Sequence, residues 1–232
     1  MCPSLTRQEV LAEIVVDSQV WKFVQTQIVD WWSEDDHNFP WRAPDEEWRL
    51  LVTEVLLQRT RAETVADERN VFFARFNSPA SLGDASEEEV AEAIYSLGLA
   101  WRAKYLRELG AALAKTDGVV PDSTDEIREL PGVGPYVAGA FQALHRNKHA
   151  SFVDANVVRL LARFFGFEKD GETRRKRWFL KLVEQLFDHD YEPRTFGYAL
   201  LDFTREICAR KAHCSKCPLR EQCTFGQNSM SE

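Results

Sequence analysis

The sequence predicts an all-α protein. Apolar residues recur at helical spacing along most of the chain, the alternation expected of strands is nearly absent, and serine-led capping signals precede two of the apolar runs. The run from Val20 to Trp32 places Phe23, Ile28, Trp31 and Trp32 at helical positions. Trp48 to Gln58 follows, with Leu50, Leu51, Val55 and Leu57. Ser86-Glu87-Glu88-Glu89 has the form of a capping box ahead of Val90, Ile94 and Leu97. Ser123-Thr124-Asp125-Glu126 repeats that form ahead of Ile127 and Leu130. Pro131 ends that helix, and Pro135 suits the first turn of the next, Tyr136 to Leu144. Gly98, Gly118 and Gly166 punctuate the helices.

The chain has 232 residues, enough for one large domain or two small ones. Hydrophobic residues make up 44% and charged residues 28%, a globular balance, and seven Trp and fifteen Phe can fill a core. No apolar run approaches the roughly 18 residues of a membrane span. The start, Met1-Cys2-Pro3-Ser4, lacks the pattern of a secretory signal, so a secreted protein is not expected. The formal net charge of -8, taken alone, argues against a nucleic-acid partner. The charge is uneven, however. Glu34, Asp35, Asp36, Asp45, Glu46 and Glu47 are acidic. Arg174-Arg175-Lys176-Arg177 and the set Arg205, Arg210, Lys211, Lys216 and Arg220 are basic. Either a DNA-facing side with an acidic back or an acidic fold with solvated charge runs has this pattern.

Three local motifs carry chemistry. Leu130-Pro131-Gly132-Val133-Gly134 lies between two helices. Such a turn presents N–H groups at a helix N-terminus, which bind a phosphate without a charged side chain. An ordinary helix corner has the same sequence form. Asp154 precedes Val157, Val158, Leu160 and Leu161 and suits a helix N-cap. Cys208, Cys214, Cys217 and Cys223 form a C-x5-C-x2-C-x5-C run, leaving Cys2 as a spare thiol. Thiols this close are metal ligands before they are disulfides, and four of them fit tetrahedral zinc or an iron–sulfur cluster.

In this order and combination the motifs resemble the helix-hairpin-helix DNA glycosylases of the endonuclease III and MutY superfamily. Leu130 to Gly139, LPGVGPYVAG, resembles the family hairpin. Asp154, in Phe152-Val153-Asp154-Ala155-Asn156-Val157-Val158-Arg159, stands where the family's catalytic aspartate follows it. Phe39-Pro40-Trp41-Arg42 and Thr53-Glu54-Val55-Leu56-Leu57-Gln58-Arg59-Thr60 are similar to its core segments, and the resemblance runs from about Val20 to Cys223. It implies two helical lobes, one from 41 to 150 carrying the hairpin and one joining 1–40 to 151–232 and holding the cluster. Asp154 would lie at the junction, facing Tyr136 across a DNA groove. It also implies a [4Fe–4S] cluster in preference to zinc, although the first cysteine gap here is five residues where the family's is six. A monovalent cation at the hairpin, double-stranded DNA with a mismatched or modified base as partner, and a monomer complete the set.

The resemblance also assigns roles. Asp154 would stabilise an oxocarbenium-like sugar and direct water, as a carboxylate does in glycoside hydrolysis. Bifunctional members carry a lysine where this chain has Tyr136, and a phenol forms no imine, so a monofunctional enzyme is implied. That tyrosine is similar to the archaeal thymine-DNA mismatch glycosylases. A core aromatic with a locally bonded hydroxyl is its other reading. Glu54 matches a carboxylate that meets the flipped base, or is simply a solvated or paired helix glutamate. Gln58 and Arg59 match the wedge that fills the gap left by a flipped base. Trp41 either stacks on that base or belongs to the core. Leu130, Gly132, Val133 and Gly134 with Arg210 and Lys211 would meet phosphates. The chain ends nine residues after Cys223, and Gly98-Leu99-Ala100-Trp101-Arg102 lacks the paired tyrosines of MutY. Both point away from adenine excision, with its extra C-terminal domain for 8-oxoguanine, and toward thymine or uracil opposite guanine. An adenine glycosylase, a glycosylase for a modified pyrimidine, and a DNA-binding iron–sulfur protein remain the other readings.

Overall fold

The computed structural model describes residues 16–33, 38–188 and 190–228. No strand occurs among them, so the all-α expectation holds. Cys2, Glu34, Asp35 and Asp36 lie outside the described residues. No described helix is long and apolar enough to cross a membrane. The chain divides into two compact units, Asn38–Arg146 and the described parts of Met1–His37 with Asn147–Glu232.

The split unit begins with α1 (Ser18–Trp31), capped by Asp17, whose carboxylate accepts from Gln19 N at 2.9 Å. Trp21, Val24 and Ile28 form its buried stripe.

The continuous unit holds α2 (Glu47–Leu57), α3 (Ala62–Arg75), α4 (Pro79–Asp84), α5 (Glu87–Ala93), α6 (Arg102–Ala114), α7 (Thr124–Arg128) and α8 (Pro135–Ala140). Every residue of α2 from Leu50 to Leu56 is buried, as suits a helix apolar on all sides. Around it pack Phe72, Leu82, Ile94, Leu106, Leu109, Val137 and Phe141. Both expected capping boxes form. The Ser86 hydroxyl accepts from Glu89 N at 3.1 Å while Glu89 Oε2 accepts from Ser86 N at 2.8 Å. A third, Ser78 with Ser81, uses a serine in place of the acidic partner and carries no sequence signature. Each cap stabilises its helix by about 1 kcal/mol. A Cβ on Gly83 would lie 2.6 Å from Ala111 N, and one on Gly110 2.8 Å from Gly83 N, so α4 and α6 cross at backbone contact.

One element departs from the expected helix Tyr136 to Leu144. After α8 the chain enters a π-helical turn, Phe141–His145, and Arg146 N donates to Phe141 O at 3.3 Å, five residues back. Gln142 Nε2 donates to Asp122 O at 2.7 Å, and the Arg146 guanidinium is anchored on Glu47 and the Val120 and Pro121 carbonyls. These bonds hold the extra residue that a π turn inserts.

The split unit resumes with α9 (Ala155–Phe165), α10 (Arg177–Leu186), α11 (Pro193–Glu206) and α12 (Thr224–Asn228). Its core includes Phe152, Phe179, Phe196 and Phe203. Buried Asp202 on α11 accepts from Trp32 Nε1 at 2.8 Å, tying the end of α1 to α11. The cysteine segment links α11 to α12.

Candidate functional site

Asp154 caps α9. Its Oδ1 accepts from Asn156 N and Val157 N, both at 2.8 Å, and its Oδ2 from Asn156 Nδ2 at 2.6 Å. The N-cap that the sequence suggested is therefore formed. Burial outweighs them and pushes the Asp154 carboxyl above the ordinary aspartate value. The Val157 and Asn156 donors and the Arg159 charge oppose that shift without cancelling it. Arg159 Nη1 donates to Asn156 Oδ1 at 2.9 Å, and its Nε and Nη2 donate to Cys208 O at 2.8 Å and Thr204 O at 2.7 Å. One hydrogen-bonded chain therefore runs from the first cysteine's backbone to the aspartate. Arg163, one turn on, donates to Ala209 O at 2.6 Å and Arg210 O at 2.9 Å. Sequence reasoning singled out none of Asn156, Arg159 and Arg163. Their spacing along one face of α9 was the available signal.

Cys208, Cys214, Cys217 and Cys223 line one small cavity with Leu160, Ile207 and Leu219. All four are free thiols. Burial pushes Cys217 up to about 11 and raises Cys223, so as bare thiols they would stay protonated. Cys223 Sγ accepts from Gly226 N at 3.4 Å, and Cys208 Sγ from Arg163 Nη1 at 3.5 Å. Four cysteines around one cavity, two of them receiving N–H donors, fit a thiolate-ligated metal group. Among the described residues no three acidic, histidine or cysteine side chains already stand at coordination distance from one point. Arg210 and Lys211 lie exposed on the loop between the first two cysteines.

The hairpin sits in the other unit. Val133 N donates to Leu130 O at 3.1 Å, closing the turn. Val133 is buried and Leu130 packs on the core, so these two shape the turn and offer no exposed side chain. Gly132 has φ 75°, and a Cβ there would meet Tyr105 Cβ at 2.9 Å, two independent requirements for glycine. Gly134, by contrast, caps α8 with an extended backbone that any residue adopts. Space is open around it, which leaves its backbone approachable. Gln58 Nε2 donates to Gly132 O at 3.2 Å, so the expected wedge side chain is bonded to the hairpin. Arg59 beside it is exposed and has φ 58°.

Trp41 is 4% exposed and stacks on Phe39, with ring centroids 4.9 Å apart at 9°. It is a core residue and not an open stacking platform. Tyr136 is half-buried against the same core. Glu54 is buried, and its Oε1 lies 2.8 Å from His145 Nε2. Both side chains are 2% exposed. Of the two carboxylate oxygens, Oε1 is the one in this contact. Sequence reasoning missed His145, because the π turn decides which side of the helix it occupies.

Residues 52–185 match the HhH-GPD superfamily of base excision DNA repair proteins. The chain belongs to this family. The match takes in Glu54, the hairpin and Asp154, and stops short of the cysteines. This HhH-GPD chain is similar to the thymine-DNA glycosylase of Aeropyrum pernix, 33% identical over 213 residues, or 88% of this chain and 95% of that one. It is 34% identical over 209 residues to the thymine/uracil-DNA glycosylase of Pyrobaculum aerophilum, 86% of this chain and 90% of the other. Its structure superimposes on that of a thermostable thymine-DNA glycosylase with a TM-score of 0.79 at 33% identity, covering 90% and 98% of the two chains.

Proposed function

We propose that this protein is a monofunctional DNA glycosylase that hydrolyses the N-glycosidic bond of thymine or uracil mispaired with guanine. The observation that carries the reading is Asp154, a carboxylate fixed by three hydrogen bonds from Asn156 and Val157 at the start of α9, with the Arg159 charge nearby. Ionised, it stabilises the developing oxocarbenium sugar and orients the attacking water. Asn156 and Arg159 position it. Tyr136 supplies no amine, so no Schiff base forms and the strand is left intact at an abasic site. Glu54, whose Oε1 is engaged by His145, is the acceptor for the N–H edge of an extruded pyrimidine. The names of the two relatives support the choice of base.

The bound DNA is held through the hairpin backbone at Gly132 and Gly134 and through Arg59, Arg210 and Lys211. The phosphate contacts give affinity that falls with salt and carry no base readout. The four cysteines hold a [4Fe–4S] cluster. Four cysteines lining one cavity support that reading, and tetrahedral zinc is the other group four thiolates suit. The cluster supplies structural cross-linking of the loop when bound.

Excision on labelled duplexes, each with one T:G, U:G, A:G, A:8-oxoguanine or 5-hydroxymethyluracil:G pair, tests the reading. Breaks at T:G and U:G that appear only after alkali are expected. Breaks at the adenine pairs would make the enzyme an adenine glycosylase, and nicking without alkali would refute the monofunctional assignment. A panel with no product would leave a modified base or DNA binding alone.

A further inference from the structure

Arg102, at the start of α6, is fully buried and heads the large side chains that are so. A buried cation needs partners, and these are backbone carbonyls. Nη1 donates to Val55 O at 3.3 Å, Leu56 O at 2.6 Å and Gln58 O at 3.3 Å. Nη2 donates to Leu97 O at 3.2 Å and Gly98 O at 2.9 Å. The first three close the C-terminal end of α2, whose last carbonyls lack helical partners and carry the negative end of the helix dipole. The other two belong to the turn before α6. One planar fork thus fastens two separate chain reversals, a task that the single ammonium of a lysine fills poorly.

The residue after each gathered set is strained. Arg59 has φ 58° and Leu99 has φ 57°, both left-handed without being glycine. Such conformations persist only where the surroundings over-determine them, and they cluster at sites of function. Beyond the strained residues the surface is open, with Arg59 exposed and Trp101 50% exposed. Thr60 Oγ1 adds a bond to Leu97 O at 3.3 Å between the same two segments.

We propose that Arg102 is a positioning residue that holds the Arg59 turn and the Leu99–Trp101 turn as one preformed two-pronged wedge for opening the duplex. It takes no part in bond cleavage. The proposal rests on the glycosylase reading for its substrate, since opening a pair matters only to an enzyme that extrudes a base.

The test uses Arg102→Met, which keeps the length and loses the fork, and Arg102→Lys, which keeps the charge. Single-turnover excision of uracil is measured on a U:G duplex and on a single strand of the same sequence, where the base needs no extrusion. For Arg102→Met the duplex rate is expected to fall about a hundredfold, the order seen when a reacting base is misplaced. The single-strand rate should hold to within about threefold, and Arg102→Lys should fall between. Equal loss on both substrates, or no loss on the duplex, overturns the proposal. A parallel readout needs no chemistry: 2-aminopurine placed beside the mismatch brightens when the wild type unstacks it, and should stay dim with Arg102→Met. A wild type that unstacks the pair yet excises nothing refutes the glycosylase reading and leaves the wedge to this signal. If the wild type acts on duplex alone, the same signal decides. A variant that unstacks as the wild type does, or a wild type that never unstacks, overturns the wedge. Should Arg102→Met fail to fold, as its melting curve would reveal, Arg102→Lys carries both measurements.

Discussion

Two carboxylates, one in each unit, are held in opposite ways. Asp154 accepts from donors that do not titrate near neutrality, two backbone N–H groups and an amide, with the Arg159 charge nearby. Glu54 leans on one histidine. In the first case the carboxyl is the only member that can gain or lose a proton, so its protonation follows solution pH through one raised pKa. In the second, a carboxylate meets one imidazole through a single oxygen. The difference shows that burial alone does not define a chemical role. What decides it is how many groups hold the carboxylate and which of its oxygens they take.

The widest gap between the two should appear on direct substitution. Asp154→Asn is expected to lower single-turnover excision on the order of 10³-fold, within the range of a lost acid–base group, while the variant keeps its fold because asparagine also caps helices. Near-normal rates would remove Asp154 from the mechanism.

Next in size is the pH profile. Asp154 acts when ionised, so the acid limb of the rate profile should lie above the ordinary aspartate value near 3.9. The Asn156 amide lowers the raised pKa. Removing it in Asn156→Ala should therefore move the limb to still higher pH, with less activity at a fixed mildly acidic pH. A limb that stays in place or moves down would show that another group sets it.

His145→Ala addresses the other carboxylate. It leaves Glu54 buried without its partner and should cost about 1–3 kcal/mol, seen as a lower melting temperature. The double substitution Glu54→Gln with His145→Ala should cost less than the sum of the singles, since it removes both halves of one contact. Strict additivity would mean the pair is incidental.

Arg210→Ala and Lys211→Ala should have the smallest effects. Each is expected to weaken binding to matched and mismatched duplex alike and to reduce the salt slope by about one. A change confined to mismatched DNA would give these residues a reading role.

Much of this was legible in the chain. The helical runs, the capping boxes at Ser86 and Ser123, the cap at Asp154 and the convergence of four cysteines all depend on local spacing, which sequence states directly. What stayed hidden depends on through-space relations. Trp41 has the same composition signal whether it stacks on Phe39 or faces a ligand. Arg102 reads as an ordinary helix residue until its five carbonyl partners are seen together. The rise in the Asp154 pKa comes from packing that the cap motif does not describe.

The π turn at Phe141–His145 is a place where the helix takes up one residue of length. A regular α-helix advances about 100° per residue, so a residue added to it would swing every later side chain by that angle. The wider turn absorbs the added residue instead, with Arg146 N bonded to Phe141 O five residues back. Deleting one residue inside the turn would let it relax to α geometry and leave His145 on the side that meets Glu54. For anyone comparing related chains, a one-residue gap in this helix would leave the company of that carboxylate unchanged.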